Sequence, residues 1–350
     1  MNKIKAVLCG YYGKGNAGDE ALLVSLLQML PPEVEPIVLS GNPQETQKLY
    51  NVASCDRTST FAILQAFKQS EIFIWGGGSL MQDSTSLASP IYYAGLMALA
   101  QKQGLKTIAW AQGIGPLNKS FTRWMTKEVL SGCTAISVRD GASAKLLQNW
   151  QLSPLIAPDP VWALQSSPVE DLANLPAPKI AVILRPHPQL TKQRLRNITI
   201  ALQQFQQATQ AFIVLVPFQS DRDMAIAETL AEQLPKTSKI ISLQNPRQLK
   251  GLFQDVEMVI GMRLHGLIMA AAEACKCFAL SYDPKVSQLM LELNLPGWEL
   301  DRLPETAEAI STAWSDYYTN GVALNTIQIQ SLIDRALLHK EMLQQIILNS

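Results

Sequence analysis

Val256-Glu-Met-Val-Ile-Gly-Met-Arg-Leu-His-Gly-Leu-Ile-Met-Ala-Ala-Ala-Glu-Ala-Cys-Lys-Cys-Phe-Ala-Leu-Ser-Tyr-Asp-Pro-Lys285 reads as strand, turn, helix, strand. The run from Val256 to Ile260 is broken by Gly261, Leu264 to Cys275 is rich in helix formers, and Phe278 to Ser281 is apolar again. In such a unit the two strands run parallel. The turns that follow them then lie at one carboxyl edge of the sheet, where open α/β sheets bind ligands. The first turn carries Arg263 and His265, and the second carries Tyr282, Asp283 and Lys285. The helix start adds free N–H groups and the positive end of a dipole, so the edge favours an anion. A lone His or Arg at a helix start is more often a cap or a surface group. Here Gly261 and Gly266 bracket the pair and Lys285 returns to the same edge, which points to a site.

Working back along the chain, the same alternation continues. Strands are expected at Ile180–Arg185, Phe212–Pro217 and Ile240–Leu243, with helices at Leu195–Gln207, Asp223–Gln233 and Pro246–Phe253. Arg185 ends its strand as Arg263 follows its own. Two arginines and Lys285 on one sheet edge suit a small ligand with several negative charges. His187, between Pro186 and Pro188, is the rival imidazole, with no helix end to support it. The proline-rich stretch from Pro154 to Pro178 reads as the boundary. The organisation expected is a first domain over 1–165, a linker over 166–178, a second domain over 179–325, and a long amphipathic helix within 326–350 packing back on the first domain. His339 is expected on its exposed face.

The first half alternates in the same way, with strands at Ile4–Cys9, Pro36–Leu39, Ile72–Trp75, Thr107–Trp110 and Ala135–Val138. Gly10-Tyr-Tyr-Gly-Lys-Gly-Asn-Ala-Gly-Asp-Glu20 and Gly76-Gly-Gly-Ser-Leu-Met-Gln-Asp83 follow two of these strands. Glycine lets backbone approach a ligand closely. Gly13 to Gly18 fits G-x-G-x-x-G, but no acidic residue ends the second strand to grip a ribose, and no Gly-Lys-Ser/Thr occurs. Asp19 and Glu20 beside the loop would repel a pyrophosphate and suit sugar hydroxyls; alternatively, Asp19 merely caps a helix beginning at Glu20. Asp83 divides between the same two readings. Asn16, Gly77, Gly78 and Ser79 are expected to line the substrate.

Composition narrows the classes. Among 350 residues, 29 basic and 29 acidic side chains cancel, no basic run stands out and aromatic residues make up 7%, so neither nucleic acid nor an anionic membrane is indicated as a partner. No apolar run is long enough to span a bilayer, and the N-terminus reads as a strand rather than a signal peptide. A cytoplasmic protein is expected, at most peripheral at the inner face of the membrane. Five cysteines without zinc-ribbon spacing read as reduced core thiols, and the absence of H-E-x-x-H and G-x-S-x-G leaves no metal site and no serine triad to expect.

The ordered blocks Gly10 to Ala21, Trp75 to Asp83, Gln112-Gly-Ile-Gly-Pro116, Val138-Arg-Asp140, Pro158-Asp-Pro160, Leu184-Arg185, Gly261 to Gly266 and Ser281 to Lys285 resemble the polysaccharide pyruvyl transferase family, most closely its bacterial cell-surface branch. The resemblance implies two doubly wound Rossmann-like α/β domains facing across a cleft, as in the GT-B glycosyltransferases. It also implies transfer of pyruvate from phosphoenolpyruvate to a sugar diol, giving a cyclic ketal in cell-surface polysaccharide synthesis. His265 then matches the family's catalytic histidine, and Arg185 and Arg263 its donor-binding arginines. With Lys285 these would hold phosphoenolpyruvate, used as a donor substrate without a further cofactor. Asp19 and Asp83 would orient the hydroxyls of a free or lipid-linked glycan, one of them acting as base. A nucleotide-sugar glycosyltransferase on the same fold and a non-catalytic sugar-binding protein stay open as alternatives.

Overall fold

The structure is a computed structural model that describes residues 3–84 and 86–348. The chain divides into two units: the first runs to Leu164 and takes in the segment from Ser331 onward, and the second spans Gln165–Gln330.

The first unit holds strands β1 (Ile4–Cys9), β2 (Val34–Ser40), β3 (Ala53–Asp56), β4 (Ile72–Trp75), β5 (Lys106–Gln112), β6 (Ala135–Val138) and β7 (Leu155–Ile156). They form one parallel sheet in the order β3-β2-β1-β4-β5-β6-β7. The second unit holds β8 (Lys179–Ile183), β9 (Phe212–Leu215), β10 (Ser238–Ile240), β11 (Met258–Gly261), β12 (Lys276–Ser281) and β13 (Gly297–Glu299), also parallel, in the order β10-β9-β8-β11-β12-β13. Both sheets reverse direction beside their first strand, the order of a dinucleotide-binding fold. Helices cover both faces, which is why the central strands read as unbroken apolar runs: β4 and β11 are buried throughout.

Side-chain alternation splits the first unit into two layers. Val7, Cys9, Phe73, Trp75, Ala109 and Val138 face one core, shared with the helices Thr60–Lys68, Ala88–Lys102, Ser120–Ser131 and Gly141–Asn149. The helices Ala17–Met29 and Leu338–Leu348 pack against each other, and the latter reaches β6 through His339 and Ser137, whose position alternates with that of Val138.

Three expectations are corrected here. The first helix begins at Ala17, not Glu20, because Asn16 Oδ1 accepts from Gly18 N at 3.1 Å and caps it. Asp19 and Glu20 therefore sit in the first helical turn, where the dipole favours carboxylates, and Asp19 is not the cap. The long terminal helix is two, Thr326–Ala336 and Leu338–Leu348. His339 is fully buried rather than exposed: its ring meets Ser137 Oγ at 2.9 Å and Pro158 O at 3.0 Å, while Trp110 Nε1 donates to its carbonyl. Burial lowers its pKa to about 4.

Candidate functional site

In each sheet the candidate residues gather where strand order reverses. That point lies between β8 and β11 in the second unit. Ile183 of β8, Gly261 of β11 and Ala279 of β12 share one register row. Two residues further on stand Arg185, Arg263 and Ser281, the last followed by Tyr282 and Asp283. Parallel pairing thus delivers both arginines and the second turn to one edge, with His265 in the first turn of the helix Leu264–Ala272. Lys285 lies in the first turn of the helix Pro284–Leu293, its backbone N–H donating to the capping Asp283 at 3.0 Å.

The two arginines are not equivalent. Arg263 is buried, and its Nε and Nη2 engage both carboxylate oxygens of Asp223, with Nη2 at 2.6 and 2.7 Å. Asp223 also accepts from Gln219 N at 3.0 Å, in the first turn of the helix Ser220–Gln233. Arg263 is thus not a bare cation at the edge: a buried carboxylate balances its charge, and it braces the turn that carries His265. Arg185 has no such acid among the described residues. Its Nη1 donates to Tyr282 Oη at 2.8 Å, its guanidinium lies 5.1 Å from the Tyr282 ring centre, and its Nε is a buried donor without a hydrogen-bond partner among the described residues. The His187 ring centre lies 4.6 Å from that of Tyr282, with the two rings tilted by 40°. Burial first, then the Arg185 charge, lower the pKa of His187, while Asp283 raises it.

In the first unit the reversal lies between β1 and β4, and the two glycine-rich loops follow those strands. Tyr12 folds back between them. A Cβ on Gly10 would sit 2.3 Å from its ring, and one on Gly76 1.7 Å from its hydroxyl, so these glycines make room for a buried side chain rather than for a ligand. Gly77 is similarly tight against Leu22. Gly78, at φ +123°, is different: a Cβ there would lie 3.6 Å from Asp19 Oδ1, so the fold brings Asp19 beside the second loop. Gln112 supports that loop, donating from Nε2 to Gly76 O at 2.7 Å, and Gly113 N donates to Gly78 O at 2.7 Å. Ser79 Oγ accepts from Arg139 Nη2 at 3.2 Å, and Arg139 forms a buried ion pair with Asp159.

Asp83 needs correcting as well. Its Oδ1 accepts from Asn118 N at 2.7 Å, and its Oδ2 accepts from Lys119 N at 2.9 Å and Thr122 Oγ1 at 2.6 Å, so it ties down the start of the helix Ser120–Ser131. Burial pushes its pKa up, but these bonds outweigh burial and hold it at about 2, which suits a fixed cap and not a base. Asn16 is likewise occupied as a cap through Oδ1. Glu20, read with Asp19 as suiting sugar hydroxyls, is the tuned carboxyl: it accepts from Gly13 N at 2.7 Å and Tyr50 Oη at 2.9 Å, and burial raises its pKa to about 7. Asp223 and the Arg139–Asp159 pair were given no role by sequence. The only local signal for Asp223 was an acidic helix start, Asp221-Arg-Asp223. Among the described residues no group of three or more His, Cys, Asp or Glu side chains is placed to hold a metal ion.

The model of the polysaccharide pyruvyl transferases matches residues 16–284. The chain belongs to that family. The match runs from Asn16 through the turn holding Tyr282 and Asp283, and so takes in every candidate residue above except Lys285, one position beyond it. No curated protein matches the chain in sequence. Among solved structures it is similar to the UDP-GlcNAc 2-epimerase of Methanocaldococcus jannaschii, at 12% identity and a TM-score of 0.66, covering 98% of this chain and 99% of that one. A UDP-GlcNAc 2-epimerase from Neisseria meningitidis gives 10% identity and a TM-score of 0.64 over 98% and 100% of the two chains. A glycosyltransferase from Rickettsia africae gives 15% and 0.55 over the full length of both. At these identities the likeness is one of fold: this pyruvyl transferase family member shares the two Rossmann-like units of the GT-B class. Among the described residues no helix is long and apolar enough to cross a membrane.

Proposed function

We propose that the protein transfers the pyruvate unit of phosphoenolpyruvate to two hydroxyls of a sugar, forming a cyclic ketal and releasing phosphate, with no further cofactor. The observation that carries this reading is Arg185. A buried guanidinium N–H without a protein acceptor has lost its water and regained nothing, and a carboxylate or phosphate oxygen would restore the missing bond. Lys285 and the two helix starts at the same edge add to the preference for an anion.

In this mechanism His265 protonates the methylene carbon of phosphoenolpyruvate, and the positive charge that develops on the neighbouring carbon is relieved by attack of one sugar hydroxyl. The proton of that hydroxyl passes to the ester phosphate, whose C–O bond then breaks to release hydrogen phosphate, with Arg185 and Lys285 stabilising the leaving dianion. The second hydroxyl closes the ring and returns a proton to His265. Arg263, locked by Asp223, holds the turn that aims His265. On the first unit, Asp19 beside Gly78 orients the acceptor. Phosphate release from phosphoenolpyruvate across a panel of acceptor glycans tests the reading, with His265→Ala expected to slow it about 10²- to 10⁴-fold. Calorimetric binding of nucleotide sugars but not of phosphoenolpyruvate would refute it and favour a glycosyltransferase.

A further inference from the structure

The four helices that share the first unit's core on one face of the sheet, Thr60–Lys68, Ala88–Lys102, Ser120–Ser131 and Gly141–Asn149, turn their outer sides the same way. Three of them carry or adjoin large exposed apolar side chains where solvent-facing helices are usually polar. Phe121 is 56% exposed and Trp124 58%, one helical turn apart with ring centres at 6.0 Å. Leu87, at the start of the neighbouring helix, and Ile91 in its first turn are exposed too, as is Phe61 at 78%.

Hydrogen bonds at both ends set two of these helices side by side in the same direction. Asp83, just before the helix Ala88–Lys102, holds Asn118 N and Lys119 N at the start of Ser120–Ser131, and Gln101 Nε2 near its end donates to Val129 O at 2.7 Å. Ile91 stands ten residues before Gln101, about 15 Å along the axis, and Phe121 eight before Val129, about 12 Å, so these two lie near one level.

Charge on this layer is lopsided. Within the four helices the basic residues are Lys68, Lys102, Arg123, Lys127 and Lys145, all exposed, and the one acidic residue is Glu128. The whole chain, by contrast, carries equal numbers of each sign. Exposed aromatic and aliphatic side chains set among lysines and arginines suit a surface that is oily below and anionic above.

We propose that this helical layer docks the protein on an anionic lipid bilayer, with Phe121, Trp124 and Ile91 entering the headgroup boundary and Arg123 and Lys127 meeting lipid phosphates. Aliphatic Leu87 and Ile91 beside the rings favour lipid over stacked nucleic-acid bases. The docking is separable from pyruvyl transfer, because vesicle binding is read without either substrate.

The test is co-sedimentation of the full-length protein at low ionic strength with phosphatidylcholine vesicles, alone or containing about one-third phosphatidylglycerol. Binding to the anionic vesicles only is expected, weakened about fivefold by Arg123→Gln or Lys127→Gln. Phe121→Ser with Trp124→Ser should weaken it about tenfold or more. Trp124 is the one tryptophan in the exposed class among the described residues, so its emission should shift to the blue on binding. Trp124→Phe should keep binding and lose the shift. No binding to anionic vesicles, or binding that the Phe121/Trp124 double variant leaves intact, would overturn the proposal. So would a wild-type protein that self-associates through this face, as judged by its size in solution, without binding vesicles.

Discussion

Two buried groups of the first unit titrate against each other, and their opposition gives a sharp test. Glu20 carries a pKa of about 7 against an ordinary 4.5, so over that range the folded state holds a proton that the unfolded chain has lost. Stability from this source is present at low pH and is lost as pH rises. His339 runs the other way. Its pKa falls from 6.5 to about 4, so the unfolded chain binds the extra proton and stability is lost as pH falls. Each contributes a slope of about 1.4 kcal/mol per pH unit, with opposite signs. In the window common to both, pH 4.5 to 6.5, the two cancel. Glu20→Gln should therefore leave stability rising with pH by about 2.7 kcal/mol across that window, and His339→Gln should leave it falling by a similar amount. The double variant should match the wild type's flat profile. Differences between profiles remove background titrations such as that of Asp83, which lies lower. Because two units need not unfold together, the assay is hydrogen exchange of β1 and β6 amides, which reports the first unit alone. If Glu20→Gln traced the wild-type pH profile, the carboxyl would not be protonated in the fold and the reasoning would fail.

Asp223→Asn should destabilise the second unit by about 3–5 kcal/mol, seen as faster exchange in β8 and β11, because it leaves the Arg263 charge buried without its counter-ion; a change under about 1 kcal/mol would mean the pair is solvated. Asp83→Ala should cost roughly 1–2 kcal/mol of stability in urea unfolding while leaving turnover per folded molecule unchanged, and a collapse of turnover without loss of stability would restore it to the acceptor site. Arg185→Ala should weaken phosphoenolpyruvate binding by about 1.5–3 kcal/mol by calorimetry, and Tyr282→Phe by about 1 kcal/mol with kcat retained. Equal losses in the two variants would show that Tyr282 touches the donor itself.

The central strands were legible because each is a short unbroken apolar run closed by glycine, as in Ile72–Trp75 before Gly76 and Met258–Gly261. The edge strands Ala53–Asp56 and Leu155–Ile156 were not, since half-exposed edges keep polar residues and little periodicity. The helix Ser120–Ser131 was missed because its pattern is partly inverted: Thr122 and Thr126 are buried while Phe121 and Trp124 are exposed. At the site, sequence placed Arg185, Arg263 and His265 on one sheet edge through strand logic alone. What it could not supply was pairing across long loops. Asp223 lies 40 residues before Arg263, and Asp83 reaches Lys119 and Thr122 36 and 39 residues away. His339 looked like a surface residue because the two polar groups that hold it come from β6 and from the loop after β7. The basic side chains of the helical layer are scattered from Lys68 to Lys145, so only folding gathers them.

The first unit is assembled from two segments that flank the second, and this sets an order on its making. During synthesis the stretch to Leu164 leaves the ribosome first, yet the helix that places His339 against Ser137 and its carbonyl against Trp110 comes 175 residues later. At ordinary translation speeds that interval is on the order of ten to thirty seconds. Through it the second unit, one continuous segment, can close, while β5 and β6 stand with one face bare and Trp110 uncovered. The nascent chain thus carries an open apolar sheet until the helix bearing His339 arrives, a demand on holding chaperones that a protein of the same fold with an uninterrupted first unit would not make.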